Sequence, residues 1–241
     1  MERIKQALEK ARRRGPEQGP GQAPTAVADP AVPGGSTATP TVDVLDVSYR
    51  QTRVMELDPD HLERHRIVAF NKHLIHSWVF DLLRTQVLRK MDENGWRTLA
   101  ITSPTPEAGK TVVAINLAMS IAYQTDKTAM LVDFDLRRPK IASYLGLPAG
   151  KSFNEVLDGT AEISEVLVNP GLPRLVLLPT QRPVPHSSEV LSSRKVANLI
   201  EEIRARYESR IVIFDLPPVL SADDAIAVLP QMDCVLMVVG N

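Results

Sequence analysis

The feature that most constrains the fold is a stretch near the middle of the chain, residues 99–113, with the sequence LAITSPTPEAGKTVV. Its first part is an apolar run that ends at Ser103 and is typical of a buried strand. A tight turn with Gly109, Lys110 and Thr111 follows. Apolar residues then recur at the spacing of a helix face, at Val112, Ile115, Met119 and Ala122. A strand, a turn and a helix N-terminus in this order direct backbone N–H groups and one ammonium at one point, so the stretch predicts a phosphate-binding loop.

The loop departs from the general phosphate-binding pattern, G-x-x-x-x-G-K-[ST]. Pro104 stands where that pattern has its first glycine, and Pro106 has no N–H to donate. The tripeptide GKT is weak evidence by itself, and an ordinary turn before a helix is the alternative. If the loop binds a nucleoside triphosphate, Lys110 contacts the β and γ phosphates and Thr111 binds Mg²⁺. The loop residues expected around the nucleotide are Pro106, Glu107, Ala108, Gly109, Lys110, Thr111 and Val112.

Acidic residues follow two later apolar runs, at the points where strands are expected to end. The run AMLVDFDLRRP ends in Asp133 and Asp135, and RIVIFDLPPVL ends in Asp215. Ligands of parallel sheets gather at the carboxyl ends of the strands. Asp133 and Asp135 share one side of their strand and are suited to hold Mg²⁺ and to accept a proton from an attacking hydroxyl. The alternative for Asp133 and Asp135 is a polar strand end. Asp215 is expected to bind metal through water, and its alternative is a capping aspartate.

The fold class follows from apolar strands that alternate with helical patterns from residue 97 onward. This alternation predicts βαβ units and a mostly parallel sheet with helices on both faces, as in P-loop NTPases. The predicted strands are 97–103, 127–133, 174–179, 210–215 and 233–239. The predicted helices between them are 110–124, 138–145, 152–158, 187–207 and 222–230. A further helix is predicted before the first strand, with an apolar stripe at Ile75, Val79, Leu83, Val87 and Met91 and a stop at Asn94-Gly95.

The region before this domain divides into two parts. Residues 1–14 form a short basic amphipathic helix, either a solvated terminus or a docking helix for a partner protein or an anionic membrane surface. Residues 15–42 are rich in Pro, Gly and Ala and predict a flexible linker. The domain then covers residues 43–241, and its first part, 43–70, is expected to be an extended arm that lies on the domain.

Composition excludes several classes of protein. The 241 residues carry 28 positive and 29 negative side chains, and this balance gives no electrostatic reason to expect nucleic acid. The single cysteine, Cys234, excludes an internal disulfide. Neither a signal-peptide core nor an apolar run of transmembrane length is visible, so we expect a cytoplasmic protein. The histidine pairs 61/65 and 73/76 lack the further ligands of a zinc site and are expected to be surface residues.

These motifs resemble those of the bacterial tyrosine autokinases of capsule and exopolysaccharide synthesis, especially the stand-alone cytoplasmic type. In that family the first glycine of the phosphate loop is often replaced, and D-x-D-x-R and D-x-P-P motifs follow. Here these are SPTPEAGKT, the segment from Asp133 to Arg137, and the segment from Asp215 to Pro218. The segments NLAMSIA, SSEVL and DDA also look like the family, and the likeness spans residues 66–241. The basic helix and linker are similar to those of members encoded with exosortase-type loci.

The resemblance implies a protein-tyrosine kinase that uses ATP and Mg²⁺, with Arg137 among the nucleotide-binding residues and Asp133 as the base. A tyrosine of a neighbouring subunit is expected to be the acceptor, and a membrane chain-length determinant or copolymerase the partner, so that the chain is peripheral at the inner face of the membrane. The family's ring-forming pattern, E-x-x-R-x-x-R, retains only Arg84 here, with Trp78 and Asp81 at the earlier positions. Self-association through it is therefore doubtful, and Arg84 is either a remnant of that interface or a solvated cation.

Two other functions remain open. The family's tyrosine-rich tail and the final segments of its sheet do not follow Asn241, so we expect a fragment or a reduced relative. A nucleotide-binding regulatory subunit without phosphotransfer is the first alternative. A partitioning-type ATPase is the second, although such ATPases have a lysine where this chain has Thr105.

Overall fold

In the computed structural model we describe residues 52–123, 126–205 and 209–240, which belong to the unit Val42–Asn241. The predictions for residues 1–14 and 15–42 lie outside these ranges, as does the beginning of the predicted arm. The first elements are β1 (Arg53–Val54), α1 (Pro59–Arg64), α2 (Ser77–Asn94), β2 (Thr98–Thr102), α3 (Lys110–Ala122), β3 (Thr128–Asp133), α4 (Ile141–Tyr144), α5 (Phe153–Asp158) and α6 (Ile163–Val166). They are followed by β4 (Val168–Asn169), β5 (Leu175–Leu178), α7 (Ser187–Leu191), α8 (Arg194–Ala205), β6 (Arg210–Asp215), α9 (Asp224–Val228), a 3₁₀ turn (Leu229–Gln231) and β7 (Cys234–Met237).

Seven strands form one sheet in the order β1-β4-β5-β3-β6-β2-β7, parallel at every pair except β4 and β5. Strands β2, β3, β5 and β6 are buried along their whole length. Alternate side chains enter two separate cores, as Leu131 and Val132 of β3 do. Because the central parallel strands have apolar side chains on both faces of the sheet, helices cover both faces and exclude water from them. The predicted fold class is confirmed.

The loop after each central strand opens at the same edge of the sheet. Strand β3 lies between β5 and β6, and its last residue, Asp133, is the register partner of Asp215 at the end of β6. Strand β2 is on the other side of β6, with Ile101 paired to Asp215. The phosphate-loop stretch and both acidic strand ends therefore reach one edge of the sheet, as the sequence pattern predicts.

The region before the first central strand differs in part from the prediction. Residues 52–70 contain β1 and α1 instead of a wholly extended arm. A proline at the first position of α1 and the side chain of Asp58, which accepts a hydrogen bond from the Asp60 N–H, start this helix. The segment does pack on the domain, because the Asn116 side-chain oxygen accepts hydrogen bonds from the N–H groups of Val68 and Ala69.

Helix α2 begins later than the sequence predicts, at Ser77, and ends at Gly95, whose φ of 68° closes it in the left-handed conformation. The predicted apolar stripe is only partly buried. Met91 lies in the core, whereas Ile75 is 79% exposed in the turn before the helix and Val79 is 44% exposed. Ile75 lies before the helix begins, and residues spaced by four drift around a helix of 3.6 residues per turn, which takes Val79 away from the core.

The long helix predicted at 187–207 is two helices, α7 and α8. Ser192 and Ser193 lie between them, and the Ser193 hydroxyl accepts a hydrogen bond from the Val196 N–H at 3.3 Å. Serine competes for backbone groups in this way and caps a helix more readily than it continues one.

Two histidines predicted at the surface are packed against the domain instead. The rings of His61 and His65 lie 4.4 Å apart, and the His65 ring lies 5.1 Å from that of Tyr144. Within the described ranges, no three His, Cys, Asp or Glu residues form a cluster suited to a metal ion. The half-buried thiol of Cys234 has its pKa raised to about 11 by burial and by Asp233. None of the described helices combines the length and the apolar character needed to cross a membrane.

Candidate active site

The phosphate-loop stretch folds as a strand, a turn and a helix. Strand β2 ends at Thr102, and α3 begins at Lys110. Gly109 between them has φ 88°, a conformation that favours glycine, and no side chain caps the first turn of α3. The loop is also joined to the segment after β6, since the carbonyl of Ser103 accepts a hydrogen bond from the Val219 N–H. The turn leaves the N-terminal N–H groups of a buried helix open to a ligand.

Lys110 is buried and faces the two acidic strand ends. Its Nζ lies 2.8 Å from Oδ2 of Asp135 and 3.4 Å from Oδ1 of Asp215. The side chain is only 10% exposed, so these contacts are shielded from water. Burial alone would lower the pKa of Lys110, but the charges of Asp215 and Asp135 raise it above the usual value. Lys110 is therefore an ammonium at neutral pH.

Thr111 contacts the second acidic strand end. Its hydroxyl donates a hydrogen bond of 2.6 Å to Oδ2 of Asp215, whose side chain is fully buried. Burial raises the pKa of Asp215, and Lys110 and Thr111 reduce that rise without cancelling it. Hydroxyl and carboxylate oxygens are the ligands that Mg²⁺ prefers, and the Lys110 ammonium donates hydrogen bonds to both members of this pair, at 3.3 and 3.4 Å.

Asp133 lies beside this group but is enclosed by protein. Its Oδ2 accepts hydrogen bonds from the backbone N–H groups of Lys140 and Ile141 at 3.1 and 3.0 Å. Its Oδ1 is buried and has no hydrogen-bond partner. Burial and the neighbouring charge of Asp215 raise the pKa of Asp133 well above its ordinary value. A buried carboxylate oxygen without a partner is able to bind a cation or to carry a proton.

A cavity of about 720 Å³ opens above these residues. The predicted residues that line it are Pro106, Glu107, Gly109, Lys110, Thr111, Val112, Asp135 and Arg137. Ala108 belongs to the loop but not to the cavity wall, and Asp133 and Asp215 lie below the floor. The sequence interpretation missed the lining residues Arg138, Lys140, Tyr144, Pro217, Pro218, Ser221 and Ala222. The sequence signal that could have identified them is that they all follow one of the two acidic strand ends within a short stretch of chain.

Arg137 lies at the rim of the cavity, with its side chain half exposed. Its Nε donates to Oδ1 and Oδ2 of Asp224 at 2.9 and 3.0 Å. The hydroxyl of Ser187 donates to the same carboxylate at 2.5 Å. The segments SSEVL, DDA and D-x-D-x-R, separate in sequence, thus meet in one hydrogen-bonded group.

Arg84, the remaining arginine of the ring-forming pattern, is not a solvated cation. Its Nη1 donates to Oδ1 of Asp81 at 2.8 Å and to both oxygens of Ser120 at 3.1 Å, and its side chain is 16% exposed. Asp81 also pairs with Lys72. Arg84 therefore joins α2 to α3 inside the domain.

The residues present fit a magnesium nucleotide, although no three acidic or histidine residues of the described chain form a metal cluster of their own. In P-loop proteins the ion is held by one hydroxyl, a nearby carboxylate and the phosphate oxygens, so such a cluster is not required. Thr111, Asp215 and the unpartnered oxygen of Asp133 supply that donor set. The fold and the site together define a P-loop NTPase-like domain with an atypical phosphate loop.

No family model matches the chain, but individual proteins do. It is 33% identical over 130 residues to the tyrosine-protein kinase ptk of Acinetobacter johnsonii, which is 54% of this chain and 17% of that protein. It is 32% identical over 156 residues to wzc of Salmonella typhimurium, and 29% identical over 164 residues to YwqD of Bacillus subtilis. The matches cover 65% of this chain and 21% of wzc, and 68% of both this chain and YwqD. The first curated relatives are thus matched over only about a fifth of their length.

Solved structures of bacterial tyrosine-kinase domains have a similar fold. The kinase domain of the Escherichia coli tyrosine kinase ETK superposes with a TM-score of 0.66 at 26% identity, over 77% of this chain and 75% of that one. The VpsO kinase domain gives 0.60 at 25%, over 68% and 80%. MinD of Pyrococcus horikoshii, solved with Mg-ADP, gives 0.51 at 22%, over 59% and 57%, and supports the fold alone. The chain is therefore similar in sequence and in fold to the kinase domains of bacterial tyrosine kinases.

Proposed function

We propose that this chain is an ATP- and Mg²⁺-dependent protein-tyrosine kinase that regulates the polymerisation or export of an exopolysaccharide. The observation that carries the proposal is the convergence of Lys110 and Thr111 on two acidic strand ends at the floor of one cavity. Relatives named as tyrosine-protein kinases are similar to this chain over 130 and 156 residues.

Each residue has a role that its surroundings support. Lys110 would remain an ammonium, and its contact with Asp135 would be replaced by contacts with the β and γ phosphate oxygens of ATP. Thr111 and Asp215 would hold Mg²⁺, with Asp133 beside them. When bound, the ion would neutralise the charge that develops on the phosphate oxygens during transfer. The open N-terminal turn of α3 would bind phosphate oxygens through its backbone N–H groups.

The acceptor hydroxyl of a tyrosine must lose its proton to a carboxylate. The family resemblance assigns this role to Asp133, which lies below the cavity floor with one oxygen bonded to backbone N–H groups. Asp135 lines the cavity, and this position supports Asp135 as the carboxylate that receives the proton. Asp133 would then act on the metal.

The partner in this proposal is a membrane chain-length determinant or copolymerase protein, with a tyrosine of a second copy of the chain as acceptor.

An assay with labelled ATP tests the proposal. The purified chain is incubated with Mg²⁺ and labelled ATP, with and without the cytoplasmic segment of a candidate membrane partner, and phosphotyrosine is detected. Labelling that disappears in Lys110→Ala supports the kinase. Nucleotide binding without transfer would instead support a regulatory subunit, and ATP hydrolysis without phosphotyrosine a partitioning-type ATPase. Failure to bind nucleotide excludes all three.

A further inference from the structure

The group formed by Arg137, Asp224 and Ser187 has a geometry that the kinase roles above do not use. The Asp224 side chain is fully buried, and both of its oxygens accept hydrogen bonds. The Arg137 side chain is half exposed. A buried carboxylate is therefore joined to Nε of a half-exposed arginine that lines the cavity.

The outer edge of this guanidinium is available for a ligand. Within the described part of the chain, Arg137 forms hydrogen bonds through Nε alone. Its Nη2 lies 3.7 Å from the exposed Asp223, which is too far for a good hydrogen bond. Two terminal nitrogens in a planar fork match a pair of phosphate oxygens.

The anchor is rigid because it joins three segments. Asp224 begins α9, Ser187 begins α7, and Arg137 follows β3. The segment before α7 is also bonded to the chain near Arg137, through the Val184 N–H and the Leu136 carbonyl at 2.8 Å. Without an anchor, a half-exposed arginine loses side-chain entropy on binding a ligand, and an anchor formed in advance reduces that loss.

We propose that Asp224, together with Ser187, is a positioning residue that holds Arg137 by Nε so that its terminal nitrogens bind a phosphate oxyanion at the cavity mouth. The proposal rests on the proposed function, because the oxyanion would belong either to the nucleotide or to the phosphorylated tyrosine that transfer produces. It gives the segments SSEVL and DDA a common role that neither has alone.

The test compares Asp224→Asn, Ser187→Ala, Arg137→Ala and the double variant Arg137→Ala/Asp224→Asn with the wild-type chain. The matched control is Asp223→Asn, which removes the same charge one position earlier from a side chain that is 75% exposed. The affinities for ATP, ADP and phosphotyrosine are measured for each. NMR of the ligand-free chain follows the Arg137 Nε–H signal, and thermal unfolding reports the fold.

We expect Asp224→Asn and Arg137→Ala each to weaken binding of one phosphate ligand by about tenfold, and the double variant to be no weaker than Arg137→Ala. Asp223→Asn should change affinity by less than about twofold. The Nε–H signal of Arg137 should shift in Asp224→Asn and in Ser187→Ala but not in the control. The ligand that loses affinity identifies the source of the oxyanion.

Two results would overturn the proposal. One is an Asp224→Asn chain that melts at a lower temperature but binds every ligand as the wild type does. The other is a double variant whose loss equals the product of the two single losses, since residues that act through one another are not additive. If Asp224→Asn does not fold, Ser187→Ala replaces it in the same comparison. A wild-type chain that binds ATP without transferring phosphate contradicts the proposed function, while the binding data still decide the role of Asp224.

Discussion

Two charged networks in this domain contain the same kinds of side chain and differ in the ratio of positive to negative groups. The site network consists of Lys110, Thr111, Asp133, Asp135 and Asp215 at the end of the sheet. The helix network consists of Lys72, Asp81, Arg84 and Ser120 between α2 and α3. The first has three carboxylates and one ammonium, and the second has two cations and one carboxylate.

The balance changes the electrostatics of each network. Burial would raise the pKa of Asp81, but hydrogen bonds and charges from Lys72, Ser120 and Arg84 lower it, so the Asp81 carboxylate is fully paired, although Nε of Arg84 has no hydrogen-bond partner. In the site network burial raises the pKa of Asp133 and Asp215, and an oxygen of Asp133 has no partner. A network that is short of positive charge is suited to receive a cation, whereas a network with two cations around one paired carboxylate holds two helices together.

The largest effect is expected from Asp215→Asn. The change removes the charge that Lys110 and Thr111 both contact, so Mg²⁺-dependent ATP binding should weaken by at least about tenfold. Binding measured in excess chelator should change little. Isothermal titration with and without Mg²⁺ separates the two. Equal losses in both conditions would show that Asp215 supports the loop and does not serve the metal.

Asp133→Asn should have opposite effects on stability and on function. Removing a buried charge that Asp215 repels should raise the free energy of unfolding of the ligand-free chain by about 1–2 kcal/mol at neutral pH. Mg²⁺-dependent nucleotide binding should weaken, as in Asp215→Asn. Urea unfolding and titration of the same preparation measure both. A variant that is less stable than the wild type would contradict the electrostatic account.

The sign of the pH dependence follows from the raised pKa of Asp133. Its protonated form is the one that the native state favours, so its stabilising contribution is complete below the ordinary pKa of 3.8 and is lost as pH rises through the native value. The Asp133→Asn variant has no carboxyl group at this position and does not lose stability in this way as pH rises. Its stability advantage should therefore be small near pH 3.8 and grow toward neutrality, and an advantage that is independent of pH would exclude this cause.

Arg84→Ala tests the helix network and should affect stability alone. It removes three hydrogen bonds at a side chain that is 16% exposed and should lower the free energy of unfolding by about 1–3 kcal/mol. Arg84→Lys should recover part of this loss. ATP affinity should stay within about twofold, because the network has no contact with the site. A change in nucleotide affinity larger than the change in stability would show that the two networks are coupled.

Lys72→Gln should have the smallest effect. Lys72 pairs with Asp81, but its side chain is 37% exposed and Arg84 holds the same carboxylate. A pair of this kind contributes less than about 1 kcal/mol, and added salt should reduce the contribution further. Thermal unfolding at low and high salt measures it. A loss as large as that of Arg84→Ala would mean that Arg84 alone does not hold the Asp81 carboxylate.

The site was predictable where its residues follow strands. An apolar run long enough to cross the sheet ends at a defined edge, so Asp133, Asp135 and Asp215 were expected to meet Lys110 there. Arg138 in a loop and Tyr144 at the end of the short helix α4 were missed because the path of these segments over the cavity depends on packing. The two helices at 187–191 and 194–205 were predicted as one because no glycine or proline separates them in the sequence.

The sequence by itself determined the fold class, five of the seven strands and the strand-turn-helix of the phosphate-loop stretch, because periodicity and turn residues act locally. Only the tertiary structure decided which charges are satisfied. It placed Arg84 in a bonded position between two helices, enclosed Asp133 beneath the cavity floor, and joined Arg137 to Asp224 across 87 residues of chain. Burial and the distance between charges set these outcomes, and both depend on contacts between segments that are remote in sequence.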